Sequence, residues 1–127
     1  MDRYSRQKLV KQIGQQGQKK ISQATVLIIG VGALGSYAAA LLTRAGVNHL
    51  ILVDPDVVSW SNLQRQALFT EQDVKDEQLK VIAAKRHLQA INSGVKVTAI
   101  PSPLSPDIVD QYNFDLCLDC LDNYTGR

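Results

Sequence analysis

Cys117 and Cys120 are the only cysteines among 127 residues, enough for half a zinc site or a single redox pair and no more. Their spacing argues against both uses. They fall in the apolar run 114–121, which reads as a strand, and on a strand residues three apart point to opposite faces. Both are expected to be small, buried, structural side chains. Long apolar runs are missing too: nothing approaches the roughly 20 residues of a membrane-spanning helix, which excludes membrane insertion. The formal charge is only +2 and the basic residues are scattered, so the concentrated cationic face of a nucleic-acid binder is absent. Residues 1–6 lead into a Gln- and Lys-rich stretch rather than an apolar core with a cleavage site, which is not a signal peptide and makes a cytoplasmic location the expectation. His49 and His87 have no partner at metal-ligand spacing and read as structural. Trp60 and Tyr4 could stack on a base, but burial is the expected use of each.

What the chain does contain is one domain's worth of residues, with 45% apolar and 20% charged. Neither a repeat nor a low-complexity linker interrupts them. Short β-branched runs alternate with longer helical patterns, which predicts βαβ units and an α/β, Rossmann-like parallel sheet with helices on both faces. Strands are expected at Thr25–Ile29, His49–Val53, 95–100 and 114–119. The first helix runs to about Ala45, with Leu34, Ala38, Leu41 and Ala45 on one face and Gly46 as its stop. Residues 55–73 form an irregular polar connection of a length that is often functional. A second helix is expected over 77–90, with Asp76 as N-cap and Leu79, Ile82, Ala83 and Ala90 near one face. Ser105 and Pro106 read as N-cap and first residue of a short third helix ending near Tyr112.

A β-α-β-α-β opening of this kind commonly has strand order 3-2-1-4, with ligands bound beyond the carboxyl ends of the strands. Gly30, Gly32, Asp54 and Asp122 all follow such ends, so one crevice should collect them. Gly30, Gly32 and Gly35 fit GxGxxG between a strand and a helix, with Asp54 about 20 residues on. Glycines let backbone approach a phosphate, a helix N-terminus favours anions, and the carboxylate accepts bonds from ribose hydroxyls. These residues alone are satisfied by NAD(P), FAD or ATP.

The segment Ser61-Asn62-Leu63-Gln64-Arg65-Gln66 separates those choices. With Arg3-Tyr4-Ser5-Arg6-Gln7, the 30–35 loop, Asp54-Pro55-Asp56, Lys80-Val81-Ile82-Ala83-Ala84 and Leu118-Asp119-Cys120-Leu121-Asp122-Asn123, it resembles the ThiF/MoeB/HesA family of ubiquitin-activating-enzyme-like adenylyltransferases. The resemblance implies an ATP- and Mg²⁺-dependent enzyme that adenylylates the C-terminal carboxylate of a ubiquitin-like sulfur-carrier protein ending in Gly-Gly. It implies that Gly30, Gly32, Ala33 and Asp54 hold the nucleotide, that Asn62, Arg65 and Lys80 contact its phosphates, and that Gln66 and Asn123 line the same pocket. Asp122 matches the Mg²⁺ ligand. Arg6 matches an arginine that reaches into the ATP site of a partner protomer, which implies a homodimer. Arg65, Lys80, Asp122 and Arg6 are thus the catalytic candidates.

Two departures accompany the match. The approach to Lys80 is longer than the short Gly- and Pro-containing connection of the family, which leaves Lys75 as an alternative. The sequence also covers only the N-terminal, nucleotide-binding half of the family fold, without the further strands, crossover loop, paired CxxC zinc ligands or sulfur-handling cysteine. The rival readings are a catalytically incomplete nucleotide-binding or dimerisation module, an enzyme activating a small-molecule or tRNA-bound carboxylate, and an NAD-dependent oxidoreductase, against which SNLQRQ argues. Strand 114–119 would border the sheet with an apolar open edge, so self-association is expected through it or through residues 3–21.

Overall fold

The computed structural model describes residues 2–121 of the chain. Its centre is a four-stranded, wholly parallel sheet of β1 (Thr25–Ile29), β2 (His49–Val53), β3 (Lys96–Ile100) and β4 (Leu116–Asp119) in the order β3-β2-β1-β4. The expected order is therefore correct. Thr25 lies opposite His49 and Val26 opposite Leu116, so the carboxyl ends of β1, β2 and β4 finish level. The two inner strands are buried along almost their whole length, because helices cover both faces.

The covering helices are α3 (Ala33–Ala45) and α5 (Lys80–Ile91) on one face and the short α6 (Pro106–Gln111) on the other. Val26, Ile28, Leu50 and Leu52 enter the first core with Val81, Ala84 and Leu88. The alternate residues Leu27, Ile29, Ile51 and Val53 enter the second, beneath Ile108. The predicted helix faces need correction. The buried side of α3 is Gly35, Ser36, Ala39 and Thr43, while Leu34 and Leu41 are exposed. A Cβ on Gly35 would overlap the Gly30 carbonyl, so only small residues fit where the helix lies this close to the strand loop, and the larger ones turn outward. On α5 the core positions are Val81, Ala84 and Leu88 together with Ala83, and Ile82 and Ala90 face solvent.

The start of α5 is also corrected. Asp76 does not cap it but closes α4 (Glu71–Lys75), which begins with a reciprocal capping box between Thr70 and Asp73. Glu77 then takes φ 52°, Leu79 is extended, and α5 begins at Lys80, whose N–H donates to the Asp56 carbonyl at 2.9 Å. Strands β3 and β4 begin one and two residues later than expected. Cys117 is exposed and Cys120 half-buried, because β4 borders the described sheet and only one of its edges is paired. Trp60, expected to be buried, is 56% exposed on a single 3-10 turn, Trp60–Asn62. Two short helices, α1 (Ser5–Lys8) and α2 (Gly14–Ile21), which apolar patterning does not announce, precede the sheet. No helix among the described residues is long and apolar enough to cross a membrane.

Candidate functional site

The loop from β1 to α3 is held by its own side of the crevice. Gly30 takes φ 89°, and a Cβ there would stand 3.0 Å from the Cys120 carbonyl, so strain and contact both demand glycine. Asp54, at the end of β2 and 5% exposed, fixes the next turn: one carboxylate oxygen accepts from the Val31 N–H at 2.7 Å, the other from the Asp56 N–H at 2.8 Å. Each oxygen keeps a lone pair for a ligand hydroxyl. Gly32 differs from its neighbours. A Cβ there would meet only the Gln66 amide nitrogen, at 3.7 Å. No contact among the described residues needs that glycine, and the space beside it opens on the crevice.

A cavity of about 240 Å³ opens above these residues, lined by Gly30, Gly32, Ala33, Asp54, Asp56 and Lys80, with Pro103, Leu104, Cys120 and Leu121 as an apolar wall. Lys80 is 7% exposed and its ammonium has no ion-pair or hydrogen-bond partner among the described residues. A cation at the first residue of a helix opposes the helix dipole, so this placement is unfavourable until an anion enters the cavity. Lys75, the alternative, is exposed at the end of α4 and does not line the crevice.

From the connection 55–73, Pro55 and Asp56 line the cavity, and the Gln66 amide nitrogen lies 3.7 Å from where a Cβ on Gly32 would stand. Asn62 is buried, and its Oδ1 accepts from the Ser59 N–H at 2.8 Å and the Ser59 hydroxyl at 3.0 Å, which leaves its amide N–H groups as donors. Gln66 is 3% exposed and its Oε1 has no hydrogen-bond partner among the described residues. A buried acceptor left without a partner is costly.

Not every predicted residue is gathered here. Arg65 is exposed, donates to the Ser61 carbonyl at 3.0 Å, and lines a separate open groove of about 680 Å³ along α3 and α5. That groove is larger but mostly apolar, and Ala33 and Leu34 border both concavities. Arg6 lies at the opposite end of the molecule: its neighbour Gln7 donates to the Ala45 carbonyl at 3.0 Å, at the far end of α3 from the glycine loop. Asp122 and Asn123 lie outside the described residues. Among the described residues no group of three acidic, histidine or cysteine side chains could hold a metal by itself.

Sequence reasoning passed over a buried ionic cluster. Asp73 is fully buried, ion-paired to Arg86, and bonded to His87 Nε2 at 2.7 Å. Burial works to raise its pKa, but the hydrogen bonds from His87 and from the Thr70 N–H outweigh it and hold the carboxyl below its ordinary value. The capping-box spacing of Thr70 and Asp73 was its available signal. Desolvation first, and the Asp119 charge second, push both cysteine thiols up, the reverse of what a reactive thiolate needs.

A parallel sheet in this order, with a glycine loop, a ribose-competent carboxylate and an unpaired lysine at its carboxyl end, defines a Rossmann-like binder of a phosphorylated nucleotide. The sequence model of the ThiF family matches residues 4–127, and the chain belongs to that family. It is 46% identical over 127 residues to the sulfur carrier protein ThiS adenylyltransferase of Bacillus subtilis strain 168, covering 98% of this chain and 38% of that protein. Against the molybdopterin-synthase adenylyltransferase of Haemophilus influenzae the identity is 40%, over 98% of this chain and 51% of the relative. The crystal structure of E. coli MccB with ATP superposes with a TM-score of 0.86 at 32% identity, over 97% of this chain and 38% of MccB. The chain thus spans between about a third and a half of the length of these relatives.

Proposed function

We propose that this chain is the nucleotide-binding part of an ATP-dependent adenylyltransferase acting on the C-terminal carboxylate of a ubiquitin-like sulfur-carrier protein ending in Gly-Gly. The observation that carries this reading is Lys80: a largely buried lysine whose ammonium has no partner among the described residues, lining a crevice beside Gly32, where a side chain would find room. ATP fits the donor set. Asp54 takes the ribose hydroxyls, the wall of Pro103, Leu104 and Leu121 takes the base, and Gly32 and Lys80 face the phosphates.

The reaction asks little proton chemistry of the protein. A C-terminal carboxylate is already ionised at pH 7; its oxygen forms a bond to the α-phosphorus while the bond to the β-phosphate oxygen breaks, and pyrophosphate leaves. The obstacle is an anion approaching a polyanion, and cationic side chains offset it. Lys80 does so from within the crevice, and Arg65, exposed in the neighbouring groove, would have to turn from the Ser61 carbonyl to join it. Asp122, which the family resemblance assigns to Mg²⁺, would hold a metal whose charge would further neutralise the leaving group.

Arg6 can act only in a second copy. The 13 residues of α3 separate the two ends of that helix by roughly 20 Å, far beyond one side chain's reach from α1 to its own glycine loop. Leu34, Tyr37 and Leu41, exposed by 72%, 66% and 50%, give α3 an apolar outer face beside the open groove, suited to a two-fold partner. A homodimer that lends Arg6 across this face unites the two observations. Pyrophosphate exchange into ATP, with and without carriers ending in Gly-Gly, tests the reading. Carrier-dependent exchange is expected; ATP binding without exchange would leave only a nucleotide-binding module.

A further inference from the structure

Helix α1 has four residues, none of them buried, and no side-chain cap, so it has no stability of its own. Its position comes from its contacts with the body, and Tyr4 makes the most specific of them. The Tyr4 ring fills the place where Gly46 lacks a side chain: a Cβ there would overlap the ring, and Gly46 in any case holds φ 90°. The Tyr4 hydroxyl accepts from Asn92 Nδ2 at 2.8 Å, and the buried Asn92 also donates to the Thr43 carbonyl at 3.0 Å. One side chain therefore joins the ends of α3 and α5. Arg3 and Gln7 flank it, donating to the carbonyls of Ile91 at 3.3 Å and Ala45 at 3.0 Å. Between them stands Arg6, exposed and with no side-chain partner among the described residues.

We infer that Tyr4 is a positioning residue for the adenylylation reaction, locking the α1 arm onto the ends of α3 and α5 so that Arg6 is presented in one direction to a partner copy. The inference rests on the adenylyltransferase reading and on Arg6 acting across a dimer. The unpaired Arg6 between two tethered neighbours is the arrangement such presentation needs: the backbone is held on both sides and the guanidinium is left for an anion elsewhere.

Mixing two defective copies of the full chain separates positioning from folding. Tyr4→Ala is expected to lower kcat for pyrophosphate exchange by about 10²-fold with little change in KM for ATP, since a displacement of about 1 Å can cost that much. Tyr4→Phe keeps the ring and is expected to lose about fivefold, the scale of one hydrogen bond. Co-refolding Tyr4→Ala with Lys80→Ala in equal amounts should restore about a quarter of the parent's exchange, because half the two-fold dimers are mixed and each carries one complete site. Arg6→Ala mixed with Lys80→Ala should do the same. Recovery with Arg6→Ala but not with Tyr4→Ala would overturn the inference, placing Tyr4's effect in the fold of its own subunit. Failure of both mixtures, with an active parent, would overturn it by removing the shared site while leaving adenylylation standing; an inactive parent would remove the adenylylation reading itself. If Tyr4→Ala does not fold, Tyr4→Leu keeps bulk against Gly46 and enters the same mixture with the same expected recovery.

Discussion

At its N-terminal end α3 starts from Gly32, beside which a side chain would meet nothing nearer than the Gln66 amide nitrogen at 3.7 Å. At its C-terminal end the helix stops at Gly46, where the Tyr4 ring already occupies the space. Both glycines flank the same helix, and both match ordinary local signals for a helix boundary. The neighbourhoods differ. One glycine borders a cavity lined by a lysine with no partner among the described residues; the neighbourhood of the other is filled by a residue 42 positions away in sequence. Packing accounts for Gly46, whereas among the described residues no packing contact accounts for Gly32.

The largest expected effect sharpens the open end. Arg65→Ala, in the groove beside the crevice, should lower pyrophosphate exchange by about 10²–10³-fold, the scale of one preorganised contact to a transition state, while urea denaturation stays unchanged. An unchanged exchange rate would return Arg65 to a solvated loop charge. Next comes Gly35→Ala, whose Cβ would overlap the Gly30 carbonyl; since backbone must move, a stability loss of about 3 kcal/mol is expected in urea titrations. A harmless Gly35→Ala would mean that α3 can lift from the loop and that the open end is not rigidly built.

The paired test of the comparison is Gly46→Ala against Gly32→Ala. The first combines a positive φ with the Tyr4 overlap and should cost about 2 kcal/mol. The second, at φ −89°, should leave stability within about 0.5 kcal/mol yet weaken ATP binding, read by calorimetric titration, by about tenfold. The opposite pattern, stability lost at Gly32 and ATP affinity lost at Gly46, would break the comparison.

The smallest effect lies away from both ends. Because the folded Asp73 carboxyl sits below its ordinary value of 3.8, its contribution is complete above that pH and is lost as the pH falls through the folded value. The urea midpoint should therefore decline on acidification below about pH 4, and Asp73→Asn should flatten that part of the profile and lower the midpoint at neutral pH.

Much of this architecture was legible because it is locally encoded. The β-branched runs Thr25–Ile29 and His49–Val53 are bounded by turn residues and gave strand limits that the fold reproduces, and Gly46 marked the end of α3. The order β3-β2-β1-β4 followed from the alternation of elements, and with it the gathering of Gly30, Gly32 and Asp54 at one end of the sheet. Lys80 was named from a motif, and the fold places it along the crevice.

What local pattern did not determine was which side of each element meets a neighbour. Leu34, Ala38, Leu41 and Ala45 have helical spacing, yet the sheet takes the small residues opposite, because α3 sits against the Gly30 carbonyl and no Leu fits between. Asp76 has the chemistry of an N-cap, but the Thr70–Asp73 box begins an extra helix upstream and leaves Asp76 at its end. Cys117 looked like core and is exposed, since a strand's burial depends on what lies beyond it. The sequence by itself determined the strands, the glycine loop and the kinds of residue the crevice contains. Only the tertiary structure decided that Gly32 stays open while Tyr4 closes Gly46, and that Arg6 stands a helix length from its own site, because these are distances between segments that no local pattern encodes.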